Sequence, residues 1–178
     1  DVQARVSVLA QALADAEVGV GDRVAGYLPN MPETIIAMLA TNALGAVWSS
    51  CSPDFGARGV LDRLGQIEPK VLFGVDGYHY NGKRHDSLGK LSEIMGGLDS
   101  LQTTIVVPYG DIAPADIDLS PVPGGVLIDD FTEPFQPGDI EFVQLPFDHP
   151  LYILFSSGTT GAPKCIVHSQ GGALLKHA

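Results

Sequence analysis

The most informative stretch of this sequence lies near its carboxyl end, where residues 151–168 have the sequence LYILFSSGTTGAPKCIVH. The apolar run at residues 151–155 predicts a buried strand, and residues 165–168 predict a strand that returns beside it. Between them, Gly158 and Gly161 allow the backbone to approach a ligand closely. The stretch therefore predicts two strands joined by a glycine-containing turn.

The turn carries groups that suit a polyphosphate. Four hydroxyls lie within five residues, and consecutive backbone N–H groups in such a turn form an anion-binding concavity. Lys164 adds a positive charge after Pro163. The pattern is not a Walker A loop, because its glycines are three apart and Cys165 follows the lysine. The alternative is a Ser/Thr-rich hairpin without a ligand. The combination of these features in this order argues against that alternative. The predicted phosphate-binding residues are Ser156, Ser157, Gly158, Thr159, Thr160, Gly161 and Lys164.

The charge distribution supports an anion site in the same place. The net charge is -11, which argues against nucleic acid as a partner, since binding a phosphate backbone needs a basic surface. Residues 109–148 hold nine acids and no Lys or Arg, whereas residues 151–178 hold two lysines and no acid. The predicted loop therefore lies in an acid-free part of an acidic chain.

Upstream, short apolar runs alternate with helical periodicity. This pattern predicts an α/β fold, a parallel sheet flanked by helices, in which ligands bind beyond the carboxyl ends of the strands. Asn30 is predicted to cap the second helix. Residues 76–86 are predicted to be a polar loop, and residues 109–148 an acidic, proline-rich surface excursion with one short helix near Asp130.

Targeting and membrane signals are missing from the 178 residues. No apolar run approaches the ~20 residues of a membrane span, and the first residues lack a signal-peptide pattern. We therefore expect a cytoplasmic protein with no membrane partner. The first residue is Asp1 rather than Met, so we also expect a segment of a longer chain.

The residues 157–164, SGTTGAPK, resemble the signature of the adenylate-forming superfamily, which includes acyl-CoA synthetases, luciferases and peptide-synthetase adenylation domains. Most members have Gly after the lysine, where this chain has Cys165. Residues 21–25 and 28–33 resemble the opening of the large N-terminal domain of these enzymes. Three further stretches resemble the acetoacetate-activating branch of the acyl-CoA synthetases: residues 48–56 (WSSCSPDFG), 66–70 (QIEPK) and 146–151 (PFDHPL).

The resemblance implies that residues 1–178 are an incomplete N-terminal AMP-binding domain. It implies an acid–thiol ligase that uses ATP, Mg²⁺ and coenzyme A to activate a small carboxylate, acetoacetate, through an acyl-adenylate, with Lys164 stabilising charge in catalysis. Two alternatives stay open: an acetyl- or propionyl-CoA synthetase, and a truncated nucleotide-binding fragment without catalysis. The family's magnesium motif, ribose-binding Asp and C-terminal lysine are expected beyond residue 178, so no metal ligand is predicted in this chain.

A coenzyme A site is also implied by the resemblance. Lys83 and Arg84 lie where relatives hold the phosphates of coenzyme A, and Arg can bind phosphate bidentately. Ser50 and Cys51 lie near a Gly-Gly pair that lines the same site in relatives. The alternative for residues 76–86 is a solvated, charged loop without a ligand.

Overall fold

A computed structural model of the protein describes residues 1–156 and 161–177. The described residues form nine strands and six α-helices, with a short 3-10 helix at Pro114–Asp116. The strands are Arg23–Tyr27 (β1), Val47–Cys51 (β2), Val71–Val75 (β3), Gly77–Tyr80 (β4), Lys83–Asp86 (β5), Thr103–Val107 (β6), Val126–Leu127 (β7), Pro150–Ser156 (β8) and Lys164–Ser169 (β9). The helices are Val2–Asp15 (α1), Pro32–Ala43 (α2), Ala57–Leu64 (α3), Leu88–Gly96 (α4), Ile128–Thr132 (α5) and Gln170–His177 (α6).

Seven of these strands form one sheet in the order β7-β6-β3-β1-β2-β8-β9. Every neighbouring pair is parallel except β8 and β9, which are antiparallel. Along β1 the side chains alternate between two cores: Val24 packs with α1 and α2 on one face, and Ala25 and Tyr27 pack with α3 and α4 on the other. A parallel sheet buried on both faces is what the alternation of strands and helices predicts, so the predicted fold class is confirmed.

The start of α2 differs from the prediction. Met31, not Asn30, is the N-cap residue, and its side chain makes no capping hydrogen bond. Pro32 occupies the first turn, where its missing N–H removes one of the donors that a cap would otherwise satisfy. The Thr34 hydroxyl donates to the Pro29 carbonyl at 2.8 Å and so holds the entering chain.

The predicted polar loop at residues 76–86 is a β-hairpin. β4 and β5 pair antiparallel, from Gly77 opposite Asp86 to Tyr80 opposite Lys83. The two turn residues, Asn81 and Gly82, have φ of 49° and 72°. An Asn-Gly pair between short strands is a strong hairpin signal, because both residues tolerate positive φ. The loop prediction was wrong because it gave more weight to the polarity of the segment than to this Asn-Gly dipeptide.

The acidic segment at residues 109–148 contributes more to the fold than a surface excursion would. Its short strand β7 extends the sheet beside β6, and α5 packs against the face that α1 and α2 cover. Beyond α5 the chain runs without regular structure across α1. There the Gly138 amide donates to the buried Ser7 hydroxyl at 3.0 Å, and the Gln11 side chain donates to the Gln136 carbonyl at 2.8 Å.

Among the described residues, none of the helices combines the length and the apolar character needed to cross a membrane.

Candidate functional site at the carboxyl edge of the sheet

Six parallel strands end at the same edge of the sheet. β1, β2, β3, β6, β7 and β8 run in one direction, so the segments that follow them meet at one edge. From β1 the chain continues to β2 on one side and then crosses to β3 on the other, which makes β1 the switch point of the sheet. Ligands of open α/β sheets bind at the carboxyl edge beside such a switch point.

The base of the predicted phosphate loop lies at this edge. Ser156 ends β8 and Lys164 begins β9, and the two residues are partners across the antiparallel pair. The Lys164 side chain is exposed. Four predicted residues, Ser157, Gly158, Thr159 and Thr160, lie outside the described residues, so the structure locates only the two ends of the loop. Gly161 is described and lies on the returning side.

The strand that precedes the loop is tied to the centre of the sheet. Trp48 and Ser49 of β2 pair with Tyr152 and Ile153 of β8. The buried Ser49 hydroxyl also donates to the Ile153 carbonyl at 2.8 Å. A fully buried hydrogen bond of this kind resists local opening, because either group left unpaired would keep its desolvation cost. The loop therefore begins from a rigid strand.

The hairpin of β4 and β5 follows β3 at the same edge. Three interstrand spacings separate β3 from β8, so the hairpin begins roughly 14 Å from the base of the phosphate loop along the edge. Lys83 begins β5 and is exposed. The two predicted anion-binding regions therefore share one surface of the protein.

Arg84 has protein partners. Its Nη2 atom lies 2.6 Å from Oδ2 of Asp76, and its Nε atom lies 3.4 Å from Oδ2 of Asp111. Asp76 is only 1% exposed, and its other oxygen accepts a hydrogen bond from the Tyr109 amide at 2.7 Å. His79 adds a contact of 3.4 Å to the same Asp111 oxygen. The arginine predicted to bind coenzyme A thus also attaches the hairpin to the carboxyl ends of β3 and β6.

Ser50 and Cys51 end β2, next to the strand that leads into the phosphate loop. Ser50 is exposed, whereas Cys51 is buried among the apolar residues that face α3 and α4. Burial raises the pKa of the Cys51 thiol to about 11, although the positive charge of Arg63 acts in the opposite direction. Any side-chain contact with a ligand here falls to Ser50, because the Cys51 thiol points into the core.

The turn after β2 is held by a tyrosine that the sequence analysis did not single out. The Tyr27 hydroxyl at the end of β1 lies 2.9 Å from the carbonyls of both Pro53 and Phe55. Burial is the main cause of the raised pKa of this phenol, which keeps it a neutral donor. Arg63 lies over the Phe55 ring at 4.3 Å from its centroid, a cation–π contact that further orders the turn.

Metal ligands are not grouped in the part of the chain that the structure describes. No set of three or more His, Cys, Asp or Glu side chains there is arranged to hold a metal ion. Two acids at the base of the hairpin, Asp76 and Asp111, both pair with Arg84. The described residues therefore do not fit a magnesium site of their own.

Comparison with known protein families assigns the chain. A family model described as "AMP-binding enzyme" matches residues 1–177. The chain belongs to the AMP-binding enzymes. The superfamily assignment drawn from residues 157–164 is thereby confirmed, and Cys165 after the lysine does not exclude membership.

Individual relatives agree with this family assignment. Acetoacetyl-coenzyme A synthetase of Rhizobium meliloti (strain 1021) is 57% identical over 178 residues, which cover 99% of this chain and 27% of that protein. Acetoacetyl-CoA synthetase of Xenopus tropicalis is 50% identical over 177 residues, 97% of this chain and 26% of that protein. The solved structure of acetoacetyl-CoA synthetase from Streptomyces lividans matches with a TM-score of 0.87 and 47% identity, over 99% of this chain and 26% of that one. The chain thus spans about a quarter of the length of these relatives.

Sequence reasoning indicated only some of the residues that form the candidate site. The motif at residues 156–164 predicted the phosphate loop, of which the described residues include only the two ends. Asp76 and Tyr27 were missed, because a single Asp after a strand and a single Tyr within one have no distinctive spacing. The Asn-Gly pair at residues 81–82 was the one signal in the sequence that could have located the hairpin.

Proposed function

We propose that this chain supplies the phosphate-binding part of an ATP-dependent acid–thiol ligase that converts acetoacetate to acetoacetyl-CoA. The observation that carries the proposal is the 57% identity of nearly the whole chain to an acetoacetyl-coenzyme A synthetase. The position of the loop base at the carboxyl edge of the sheet supports it, because nucleotide ligands of α/β sheets bind there.

The proposed reaction has two steps. The acetoacetate carboxylate attacks the α-phosphate of ATP, which forms acetoacetyl-adenylate and releases pyrophosphate. The thiol of coenzyme A then attacks the acyl carbon, and AMP leaves with the bonding electrons. The protein contributes mainly by positioning the reactants and by stabilising charge, and both contributions need fixed donors.

For the first step we assign the phosphates to the loop. Ser157, Thr159 and Thr160 donate to phosphate oxygens, together with the backbone N–H groups around Gly158 and Gly161. Lys164 balances the charge that moves onto pyrophosphate. The exposed position of Lys164 at the end of the loop, in a stretch without acids, supports this role. Mg²⁺ is expected to accompany ATP, with protein ligands from outside the described residues.

For the second step we assign a phosphate of coenzyme A to Lys83, with Ser50 and the backbone near Cys51 lining the approach. Arg84 takes part mainly by holding the hairpin, because its guanidinium already pairs with Asp76 and Asp111. Lys83 has an exposed side chain on the same hairpin. This division between one binding residue and one anchoring residue refines the sequence-based assignment of both to coenzyme A.

The test uses the full-length enzyme. We expect exchange of labelled pyrophosphate into ATP to depend on acetoacetate, with acetate and propionate much poorer. A preference for acetate or propionate would change the proposed substrate but would leave the proposed reaction class unchanged. Absence of exchange with all three acids would contradict the ligase itself. Residues 1–178 expressed alone are expected to form no thioester, and turnover by them would contradict their role as one part of the site.

The cytoplasmic location and the absence of a nucleic-acid partner remain predictions from the sequence. Cell fractionation with an antibody to the protein checks the first. Gel-shift titration with duplex DNA and with RNA checks the second, and the net charge of -11 predicts no shift at physiological salt.

A further inference from the structure

One glutamine outside the loop contacts the residues on both sides of Lys164. Gln66 follows the C-cap residue of α3, far from the loop in sequence. Its Nε2 atom donates to the Pro163 carbonyl at 2.9 Å. Its Oε1 atom lies 3.6 Å from Sγ of Cys165, which donates to it. The residue before the lysine and the residue after it are therefore held by one carboxamide.

The Gln66 carboxamide is also tied to α3, the helix that precedes it. Its Nε2 atom donates a second hydrogen bond to the Asp62 carbonyl in the last turn of α3 at 2.7 Å. A glutamine side chain has two N–H donors and one acceptor oxygen, and here all of these groups are used. The orientation of the group is thus set by three partners, and two of the partners belong to the end of the loop.

The helix that precedes Gln66 gives the contact a rigid base. Val60 and Leu64 of α3 are fully buried against the sheet. Cys165 packs at the border of the same core, opposite Phe155 on β8. The exit of the loop is therefore fixed relative to the sheet from the side of β8 and from the side of α3.

We propose that Gln66 is a positioning residue for Lys164, acting through Pro163 and Cys165. The lysine side chain is exposed and belongs to the first residue of β9. Contacts to both adjacent residues restrict the backbone from which the ammonium group projects. The proposal rests on the proposed function, because it gives Lys164 the triphosphate as its ligand.

The thiol of Cys165 has a part in this arrangement. A glycine at position 165 would have no side-chain donor for Gln66. In this chain the Sγ atom supplies the donor for Oε1, so the side chains of Cys165 and Gln66 contact each other directly. Residues 66 and 165 are then expected to act as a coupled pair.

The first test measures the backbone and does not need the reaction. Gln66→Met keeps the length of the side chain and removes its polar atoms, and Gln102→Met is the matched control. Gln102 is exposed near the amino end of β6, and within the described ranges its side chain has no hydrogen-bond partner. In the full-length protein without ATP, we expect faster hydrogen exchange in peptides covering residues 161–166 for Gln66→Met only. Equal exchange in both variants would overturn the proposal.

The second test separates positioning from general damage. We expect Gln66→Met to lower kcat/KM for ATP in the pyrophosphate exchange by roughly 3- to 10-fold, the loss expected for one or two modest hydrogen bonds. KM for acetoacetate and the melting temperature should match those of Gln102→Met. An unchanged kcat/KM for ATP, or an equal rise in KM for acetoacetate, would overturn the positioning role.

A double-mutant cycle tests the pair. Cys165→Ala removes the thiol donor, and if the two residues act together, its effect on kcat/KM for ATP is smaller in the Gln66→Met background than in the wild type. Full additivity would remove Cys165 from the proposal. If the wild-type enzyme shows no carboxylate-dependent exchange, the proposed function fails, and the hydrogen-exchange result alone then decides whether Gln66 holds the loop.

Discussion

Asp76 and Arg84 form an ion pair in which Oδ2 and Nη2 are 2.6 Å apart, with the carboxylate side chain 2% exposed and the guanidinium side chain 29% exposed. The pair joins the end of β3 to β5, the second strand of the hairpin. Since Asp76 also accepts from the Tyr109 amide, one carboxylate connects β3, the hairpin and the segment after β6. The geometry of this corner of the candidate site therefore depends on the buried charge of Asp76, which has almost no contact with solvent.

Removing the arginine is expected to destabilise the fold. Arg84→Met leaves Asp76 buried without its counter-ion, and we expect a loss of about 1–3 kcal/mol in the free energy of unfolding. The control is Lys83→Met, an exposed neighbour for which we expect a change within about 0.5 kcal/mol. Urea unfolding of the full-length variants provides the measurement. Equal stabilities would show that Asp76 does not depend on the pair.

Lys83 is expected to affect coenzyme A and not ATP. Lys83→Met should raise KM for coenzyme A by roughly 2- to 5-fold, since an exposed charge contact contributes little. KM for ATP should stay the same, because the phosphate loop lies on another strand. Steady-state kinetics of thioester formation checks both values. Lys90→Met, on α4, serves as the control, and an equal effect of the two substitutions would contradict the assignment.

Lys164 is expected to dominate the adenylation half-reaction. Lys164→Ala should slow ATP–pyrophosphate exchange by roughly 10²- to 10³-fold, the range found when one preorganised donor to developing charge is removed. Lys176→Ala, which changes the other lysine of the acid-free segment, should leave the rate within about 2-fold of the wild type, as expected for a surface substitution. A wild-type rate in Lys164→Ala would exclude the lysine from the reaction.

Cys51 is expected to be unreactive at neutral pH. Its thiol has an ordinary pKa of 9.0, which burial raises to about 11 in the fold. At pH 8 the folded protein then has about 100-fold less thiolate at this position than the unfolded chain. In a Cys165→Ser background, alkylation by iodoacetamide should be slower than in urea by at least this factor, and equal rates would contradict the burial of the thiol.

The same shift predicts the direction of a pH effect on stability. The folded protein holds the Cys51 proton more tightly than the unfolded chain does. The contribution of the neutral thiol is therefore fully present below about pH 9 and is lost as the pH rises to about 11. Comparing the wild type with Cys51→Ser across this range isolates the effect, because the serine does not titrate there.

Much of the architecture could be predicted from local patterns. The apolar runs at β1 and β3 are short and bounded by turns, and they predicted buried strands at the right places. The run at β8 predicted a strand at the right place, but the prediction that it is buried was wrong, because only Ile153 is buried and Leu154 is 47% exposed. The parallel arrangement followed from helices placed between them. The short strand β7 could not be predicted, because two residues within an acidic, proline-rich segment have no periodicity. Its position is decided by pairing with β6.

The candidate site shows the same division. The hydroxyls and glycines of residues 156–161 and the charge of Lys164 indicate phosphate binding through residue type and order alone, because a ligand that needs many donors can be recognised from consecutive residues. Lys83 and Arg84 look equivalent in the sequence. Only the structure distinguishes them, because Asp76 is buried where the hairpin brings Arg84 to it.

The sequence by itself determined the fold class and the family, and it predicted the phosphate loop, since each depends on residues that are close along the chain. Only the tertiary structure decided that Arg84 anchors the hairpin and that Cys51 is buried. Only it showed that Gln66, which is distant in sequence, contacts both neighbours of Lys164. These relationships join residues that are far apart in sequence, as Gln66 and Pro163 are. Contacts of this kind depend on how the strands and helices pack, and local residue patterns do not contain that information.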